Sequence, residues 1–358
     1  MHRVVPLIAE TQSSLRLSVV VPCFNEQESV FACWQRLVSI CNAEIGDSYE
    51  LVFVNDGSTD GTLDILRQLV SRDSHMVVVD LSRNHGHQLA LSAGLSMVRG
   101  EAVLIIDADL QDPPELLPEM MRMLEEGADV VYGQRRHRNG ESWFKKWTAK
   151  KFYRLIRALS EVDIPVDTGD FRLMRRCVVQ VLMSMPETHR FIRGMIAWIG
   201  FTQKPILYTR DVRFSGTTKY PLKRMLRLAF DAVTGFSVKP LRLAYMFGAF
   251  SAIAAIALAI YIFYGVLHQQ TIPGWASTVL IILFLGSVQL FCLAIIGEYV
   301  GRIFEQSKGR PIFVIKEVIL GCSDIALTPP KVTVKAVNPD GGEQTSVGKL
   351  DRQKESRI

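Results

Sequence analysis

Charge is missing from two long stretches of this 358-residue chain: neither Leu243–Leu267 nor Trp275–Gly297 contains an Asp, Glu, Lys or Arg. As helices rising 1.5 Å per residue, each reaches roughly 35 Å, enough to cross a hydrocarbon core about 30 Å thick. That argues against a soluble buried hairpin and predicts two transmembrane helices. A secretory leader is also missing, because residues 1–16 hold no apolar core of sufficient length, so the main domain is expected to stay inside the cell. The six cysteines (23, 33, 41, 177, 292 and 322) show no metal-type pairing and no dense disulfide spacing. Reduced thiols follow. No glycine-rich dinucleotide turn and no GxxxxGK[ST] loop occurs, and hydride transfer and P-loop ATP hydrolysis lose ground accordingly.

What is present begins with a core. Hydrophobic residues make up 48% of the chain, and the formal net charge is only +5, so clustering of the basic residues matters more than their sum. Runs rich in Val and Ile begin near Leu17, Glu50, Met76, Ala102 and Asp129, separated by helically spaced segments such as "QESVFACWQRLVSI" and "DGTLDILRQLVSR". Near-continuous apolar strands alternating with helices predict an α/β domain with a mostly parallel sheet covered on both faces. Ligands of such sheets sit beyond the carboxyl ends of the strands. The segments there read "PCFNE", "NDGSTDGT", "SRNHGH" and "DADLQD". They supply carboxylates, amides and a few basic groups, a set suited to a ribose, a base and a metal-bound diphosphate.

In "DADLQD", Asp107 and Asp109 follow a four-residue apolar run. Like charges gathered at a strand end are costly without a cation, and a hard divalent ion, Mg2+ or Mn2+, prefers such oxygen ligands. Asp112 reads instead as a cap for the helix that starts at Pro113. Asp56, at the end of its strand, is assigned to the ligand, whereas Gly57, Ser58 and Gly61 read as a turn and helix start. The two histidines of "HGH" do not share a helical face and make a poor metal pair. Either His87 or Arg83 is left to touch the diphosphate. From Arg135 to Arg157 stand nine Lys or Arg and one acid, interleaved with aromatics. Lys146, Lys150, Arg154 and Arg157 form one helical stripe, and Trp147, Phe152, Leu155, Ile156 and Leu159 lie toward the other side. This is the pattern of a helix on an anionic membrane surface. Nucleic acid is the rival partner, weakened by the two uncharged spans. Lys and Arg flank both spans, and the connector from His268 to Gly274 has none, which predicts cytoplasmic ends and an outward connector.

"VVVPCFNEQESV", "FVNDGSTDGT", "SRNHGHQLALSAGL", "DADLQDPPEL", "GDFRLMRR" and "GEYVGRIFEQSKGRPIF" each resemble a block of the family 2 glycosyltransferases of GT-A fold, in the subgroup acting on polyprenyl phosphates. The resemblance spans about Leu17 to Val314, and bactoprenol glucosyltransferases and dolichol-phosphate mannose synthases are similar. It implies a membrane-bound, inverting transferase moving a sugar from a nucleotide donor, UDP-glucose first, to undecaprenyl or another polyprenyl phosphate at the cytoplasmic membrane. GDP-mannose, UDP-galactose or a UDP-aminoarabinose derivative are the alternative donors. It places Asp107, Asp109 and Gln111 around the metal, with Asp109 counted among the catalytic groups. Pro22, Asn25, Glu26 and Asp56 line the nucleoside pocket. Arg135, in "GQRRHR", resembles the phosphate-binding Arg of a "GSR" block, with Gln134 departing from its Ser. Asp170 and Arg172, in "GDFRLM", fall near the same acceptor phosphate.

Asp170 has two readings, acceptor orientation or general base, and the first is favoured because a phosphate monoester is already mostly ionised at pH 7. Its bland alternative is a cap on a helix starting near Phe171. "RFSGTTKYPLKRM" resembles a mobile loop whose Arg213 and Lys219 clamp the diphosphate on closure. A processive synthase is disfavoured, since no Arg-Trp pair occurs. A catalytically inactive membrane scaffold is disfavoured by the retained acids. The organisation expected is an extension (1–16), a GT-A catalytic domain (17–220), an interfacial helix (221–242), two transmembrane helices (243–298), a cytoplasmic segment (299–327) and a disordered tail (328–358). The family also suggests a homo-oligomer, a tetramer.

Overall fold

A computed structural model describes residues 15–136, 168–209, 239–267 and 274–321. The basic stripe of residues 146–159, the loop carrying Arg213 and Lys219, most of the connector and the tail lie outside them. Four strands form the centre: β1 (Leu17–Cys23), β2 (Tyr49–Asn55), β3 (Met76–Leu81) and β4 (Ala102–Ile105), with every residue buried. They are mutually parallel in the order β3-β2-β1-β4. Burial on both faces explains why these segments read as continuous Val/Ile runs rather than alternating ones.

Side chains nevertheless alternate between two cores. Val19 and Val21 of β1 join the core built with α1 (Val30–Ile45), α2 (Thr62–Val70) and α4 (Leu117–Glu125). Val20 joins the opposite core, with α3 (His87–Leu95), α5 (Arg176–Ser184) and α6 (Ile192–Ile199). In α1 the buried residues are Val30, Cys33, Leu37, Cys41 and Ile45, a single helical stripe. Helices on both faces of one sheet give a three-layer domain. The five described cysteines, at 23, 33, 41, 177 and 292, are all unbridged.

Beyond β4 the sheet turns mixed. β6 (Thr168–Arg175) runs antiparallel to β4, β5 (Val130–Arg135) antiparallel to β6, and β7 (Gln203–Tyr208) parallel to β5. The antiparallel insertion matters for the site, because it brings the start of β6 beside the carboxyl end of β4. Here Phe171 lies in a strand, so Asp170 caps no helix, contrary to the bland expectation for it.

Two long helices follow: α7 (Lys239–Leu267) and α8 (Trp275–Ser307). The uncharged spans lie within them, and both are long and apolar enough to cross a membrane. They pack as a hairpin, with Phe247 and Phe291 edge to face at 6.1 Å and the Cys292 thiol donating to the Ala244 carbonyl at 3.4 Å. Their other faces leave Tyr245, Phe250, Ile253, Ile260 and Leu290 exposed. After α8 the chain returns to the catalytic sheet as β8 (Ile315–Leu320), antiparallel to β3. That strand was not expected from the sequence. Lys316 reaches Asp80 of β3 at 3.4 Å, Arg67 pairs with Glu317 at 3.0 Å, and His189 meets Glu305 of α8 at 2.7 Å. The hairpin thus leaves the α/β domain and comes back to it.

Candidate active site

The residues expected to carry chemistry collect at one end of the sheet, where β1 to β4 finish and β6 begins. Pro22 is inside β1, opposite Val54 of β2. Asn25 has a left-handed backbone (φ 56°), which its short amide side chain tolerates. Its carbonyl oxygen accepts the Thr59 N–H at 2.8 Å, and its own N–H donates to Ser58 Oγ at 3.1 Å. Glu26 N–H donates to Thr62 Oγ1 at 2.9 Å, and Gly61 N–H donates to Gln27 Oε1 at 3.0 Å. The loop after β1 is therefore stitched to the loop after β2, with Asn25 and Glu26 held by Ser58, Thr59 and Thr62.

Asp56 is only 2% exposed and organises a third loop: its carboxylate accepts the N–H of His85 at 2.7 Å and of Gly86 at 2.9 Å. Burial raises its pKa, and the two backbone donors oppose that rise. Arg83 is exposed on the same loop, its guanidinium bonded to the Asn84 carbonyl at 3.3 Å. Immediately afterwards α3 begins, presenting His87 and Gln88 from its first turn.

These two side chains converge on Asp170. His87 Nε2 lies 2.9 Å from Asp170 Oδ2, Gln88 Nε2 donates to the same oxygen at 3.2 Å, and Arg193 Nε donates to Oδ1 at 2.7 Å. Asp170 is 3% exposed. Burial alone would raise its pKa, but Arg193 and His87 overcome that and hold it well below the usual carboxylate range. For His87 burial lowers the pKa, whereas the hydrogen bond to Asp170 and the charge of Asp107 raise it, with a net rise to about 9. The pair is an imidazolium donating to a carboxylate. Arg193, 23 residues beyond Asp170 on α6, was not anticipated; "HRFIRG" carries its basic signal but nothing local ties it to Asp170.

Arg172, expected at the acceptor phosphate, lies 4% exposed with its guanidinium on the carbonyls of Gly169 at 2.9 Å and Asp170 at 3.2 Å. It braces the strand beneath the site, and Arg193 is the cation that meets the Asp170 carboxylate. Arg135, by contrast, ends β5 at the site: a Cβ on Gly169 would sit 3.2 Å from its terminal nitrogen.

The Asp-rich turn closes the arrangement. Asp107 Oδ1 is shielded from water, has no hydrogen-bond partner and lies 3.7 Å from His87 Nε2. Burial, with Asp170, Asp112 and Asp109 adding like charge against the opposing His87, raises its pKa to about 6. Asp109 Oδ1 accepts the Gln111 N–H at 3.1 Å, and Leu110 between them is held at φ 60°, a left-handed conformation rare for so bulky a residue. Strain of that kind persists where the surroundings fix it. Asp112 does not cap the helix after it: the 3-10 turn Pro114–Leu116 has no side-chain cap. Asp112 is buried instead and accepts the hydroxyl of Tyr208.

Comparison with known proteins decides what this edge belongs to. Residues 18–182 match the domain described as glycosyl transferase family 2, and residues 239–303 match the GtrB C-terminal hairpin. An uncharacterized glycosyltransferase of Bacillus subtilis, YkcC, is 43% identical over 85% of this chain and 94% of its own. The prophage bactoprenol glucosyl transferase homolog of Escherichia coli is 36% identical over 85% and 99%. The chain belongs to glycosyl transferase family 2. The mostly parallel sheet seen here is the GT-A-like α/β fold of a glycosyltransferase.

Within this family 2 glycosyltransferase, the Asp107–Asp112 turn suits a hard divalent cation. Among the described residues no group of three or more His, Cys, Asp or Glu forms a ready-made cage. Mg2+ needs none, since it retains waters and binds through one or two carboxylates plus substrate phosphates. The water-shielded Asp107 Oδ1, which accepts no hydrogen bond, and the like charge of Asp109 and Asp112 beside it fit a cation there. Asp107, Asp109 and Gln111 are the residues that fit it.

Proposed function

We propose that the protein is a membrane-bound, inverting glycosyltransferase that moves a sugar from a nucleotide donor, UDP-glucose first, to undecaprenyl or another polyprenyl phosphate. The observation that carries the reading is the juxtaposition, at one sheet edge, of the Asp107–Asp109 turn and the Asp170–His87–Arg193 cluster, on a domain strapped by β8 to an apolar hairpin. Relatives named bactoprenol glucosyl transferase, matched over 98–99% of their length, support the acceptor and the sugar.

On this reading Asn25, Glu26 and Asp56 border the nucleoside, and Arg83 or His87 approaches the diphosphate, joined by Arg213 and Lys219. Asp107, Asp109 and Gln111 hold Mg2+ or Mn2+, which when bound offsets charge on the departing diphosphate. Arg135 takes the acceptor phosphate. Asp170 orients rather than accepts a proton: its lowered pKa and its three donors make it a poor base, and the phosphate brings its own nucleophilic oxygen. Attack from the face opposite the diphosphate inverts the anomeric carbon. The catalytic domain and C-terminal segment face the cytoplasm, as the basic flanks of both spans indicate. A homo-oligomer, tetrameric by family resemblance, belongs to the same proposal.

Purified protein incubated with polyprenyl phosphate and, in parallel, labelled UDP-glucose, UDP-galactose or GDP-mannose tests this. Label should pass to the lipid from UDP-glucose with Mn2+ or Mg2+ and stop in EDTA. Transfer from GDP-mannose alone would replace the donor, and transfer undiminished in EDTA would remove the metal.

A further inference from the structure

Tyr208 is the last residue of β7, and nothing in its sequence context marks it as chemical. Its position is fixed three times over. Parallel pairing sets it opposite Arg135 of β5, and the Arg136 N–H donates to its carbonyl at 2.8 Å. Its ring meets Phe171 edge to face at 5.7 Å. The slot it fills exists because residue 133 is glycine: a Cβ there would lie 2.8 Å from the Tyr208 ring and 2.6 Å from that of Phe171.

The hydroxyl at the end of this fixed ring sits between two functional groups. It donates to Oδ1 of Asp112, which is 1% exposed and closes the Asp-rich turn, and it accepts a long hydrogen bond from Arg135 Nε at 3.5 Å. Burial, with Asp112 acting in the same direction, pushes the phenol pKa up to about 12, so it remains a donor throughout the working range of pH. One end of the contact is the strained turn through Leu110 that carries Asp107 and Asp109; the other is the cation at the end of β5.

We propose that Tyr208 is a positioning residue for sugar transfer, whose hydroxyl ties the donor-side turn Asp107–Asp112 to the acceptor-side cation Arg135 and so fixes the separation of the two substrates. The inference rests on the assignment of those two sides under the proposed function. A hydroxyl held by a rigid ring is suited to this, because it bonds Asp112 at the end of the Asp-rich turn and Arg135 at the end of β5 at once.

Tyr208→Phe keeps the ring in its slot and removes only the link. With UDP-glucose, Mn2+ and polyprenyl phosphate, kcat should fall about tenfold to a hundredfold, the loss expected when reacting groups shift by a fraction of an ångström to one ångström. The acceptor KM should rise, while calorimetric affinity for UDP with Mn2+ stays within about twofold and the melting temperature changes little. Asp112→Ala, which removes the acceptor of the Tyr208 hydroxyl, should reproduce the kinetic defect, and the double variant should be hardly worse than either single one, since both cut the same link. Unchanged kcat and acceptor KM in Tyr208→Phe would overturn the proposal. So would loss of UDP binding together with a lowered melting temperature, which would make Tyr208 a prop for the turn alone. Wild-type protein assayed alongside separates the two levels: no transfer by wild type refutes the substrates, whereas wild-type transfer with an unaffected Tyr208→Phe refutes only the role of Tyr208.

Discussion

At the residue scale the site is a balance of buried charges. Asp107 and Asp109 face a turn where like charge accumulates, while Asp170, a few ångströms away by way of His87, is saturated with donors. The two carboxylate environments push in opposite directions, and under the proposed function that separates their roles: the one whose pKa is raised is assigned to the cation, the one whose pKa is lowered already has its partners. Asp109→Ala should abolish metal-dependent turnover yet leave the fold intact, since its hydrogen bond to the Gln111 N–H is worth about 1 kcal/mol and its removal also sheds a repulsion among neighbouring acids. Circular dichroism beside initial rates checks it, and a fully active variant would remove Asp109 from the metal. The pKa values also set the pH dependence of the metal-free protein. Asp107, raised from 3.8 to about 6, lends stability present below pH 3.8 and lost as pH rises through about 6. His87, raised from 6.5 to about 9, lends stability fully present below pH 6.5 and lost as pH rises through about 9. Melting in EDTA should therefore decline in those two windows, and added Mn2+ should raise the melting temperature more at pH 7.5 than at pH 5. An equal metal effect at both pH values would contradict the assignment of Asp107.

At the element scale the question is what aims α3 at the site. Gly94 lets this helix lie close on the sheet: a Cβ there would be 2.5 Å from Val20 Cγ1 and 2.9 Å from Val54 Cγ2. Ala in place of Gly gains about 1 kcal/mol of helix propensity, but forcing a methyl against two stiff valines costs about 1–3 kcal/mol. The second effect wins, so Gly94→Ala should lower the melting temperature and, by lifting the first turn with His87 and Gln88, reduce kcat. A raised melting temperature would show that the helix shifts without cost. The same elements show what a single sequence can reveal. The strands at Leu17, Met76 and Ala102 begin where their Val/Ile runs do, because two-sided burial writes itself into composition. β6 was harder to read: "TGDFRLMR" mixes charge with apolar residues, so a helix starting near Phe171 stayed open as the alternative, whereas Asp170 and Phe171 lie in a strand. β8, "IKEVIL", is an edge strand whose residues are mostly exposed, so neither a buried run nor a strict alternation marks it in the sequence. Arg193 and Tyr208 reach the site only through pairing of β5, β6 and β7 and packing of α6, contacts that no local pattern records.

At the scale of the whole molecule the path of the chain states how donor and acceptor meet. It runs from the catalytic sheet into α7, back along α8 and into the same sheet as β8, so both ends of the apolar hairpin are attached to one domain. With Lys and Arg flanking both spans, the proposed orientation puts the domain on the cytoplasmic side and the connector outside. A Gln270→Cys protein should react with an impermeant thiol reagent from the outer face of the membrane; labelling from the cytoplasmic face alone would contradict the hairpin's orientation. Under the proposed function this arrangement would bring a water-soluble nucleotide sugar and a membrane-embedded phosphate to a single edge, and the central claim is that the sugar passes from one to the other there. The most direct measurement is product stoichiometry, with UDP release and lipid-linked hexose quantified together from UDP-glucose, Mn2+ and undecaprenyl phosphate. The account predicts one UDP for each lipid that gains one hexose, and neither product without the lipid phosphate. UDP accumulating with no hexose on the lipid, or hexose passing to a soluble sugar instead, would contradict it.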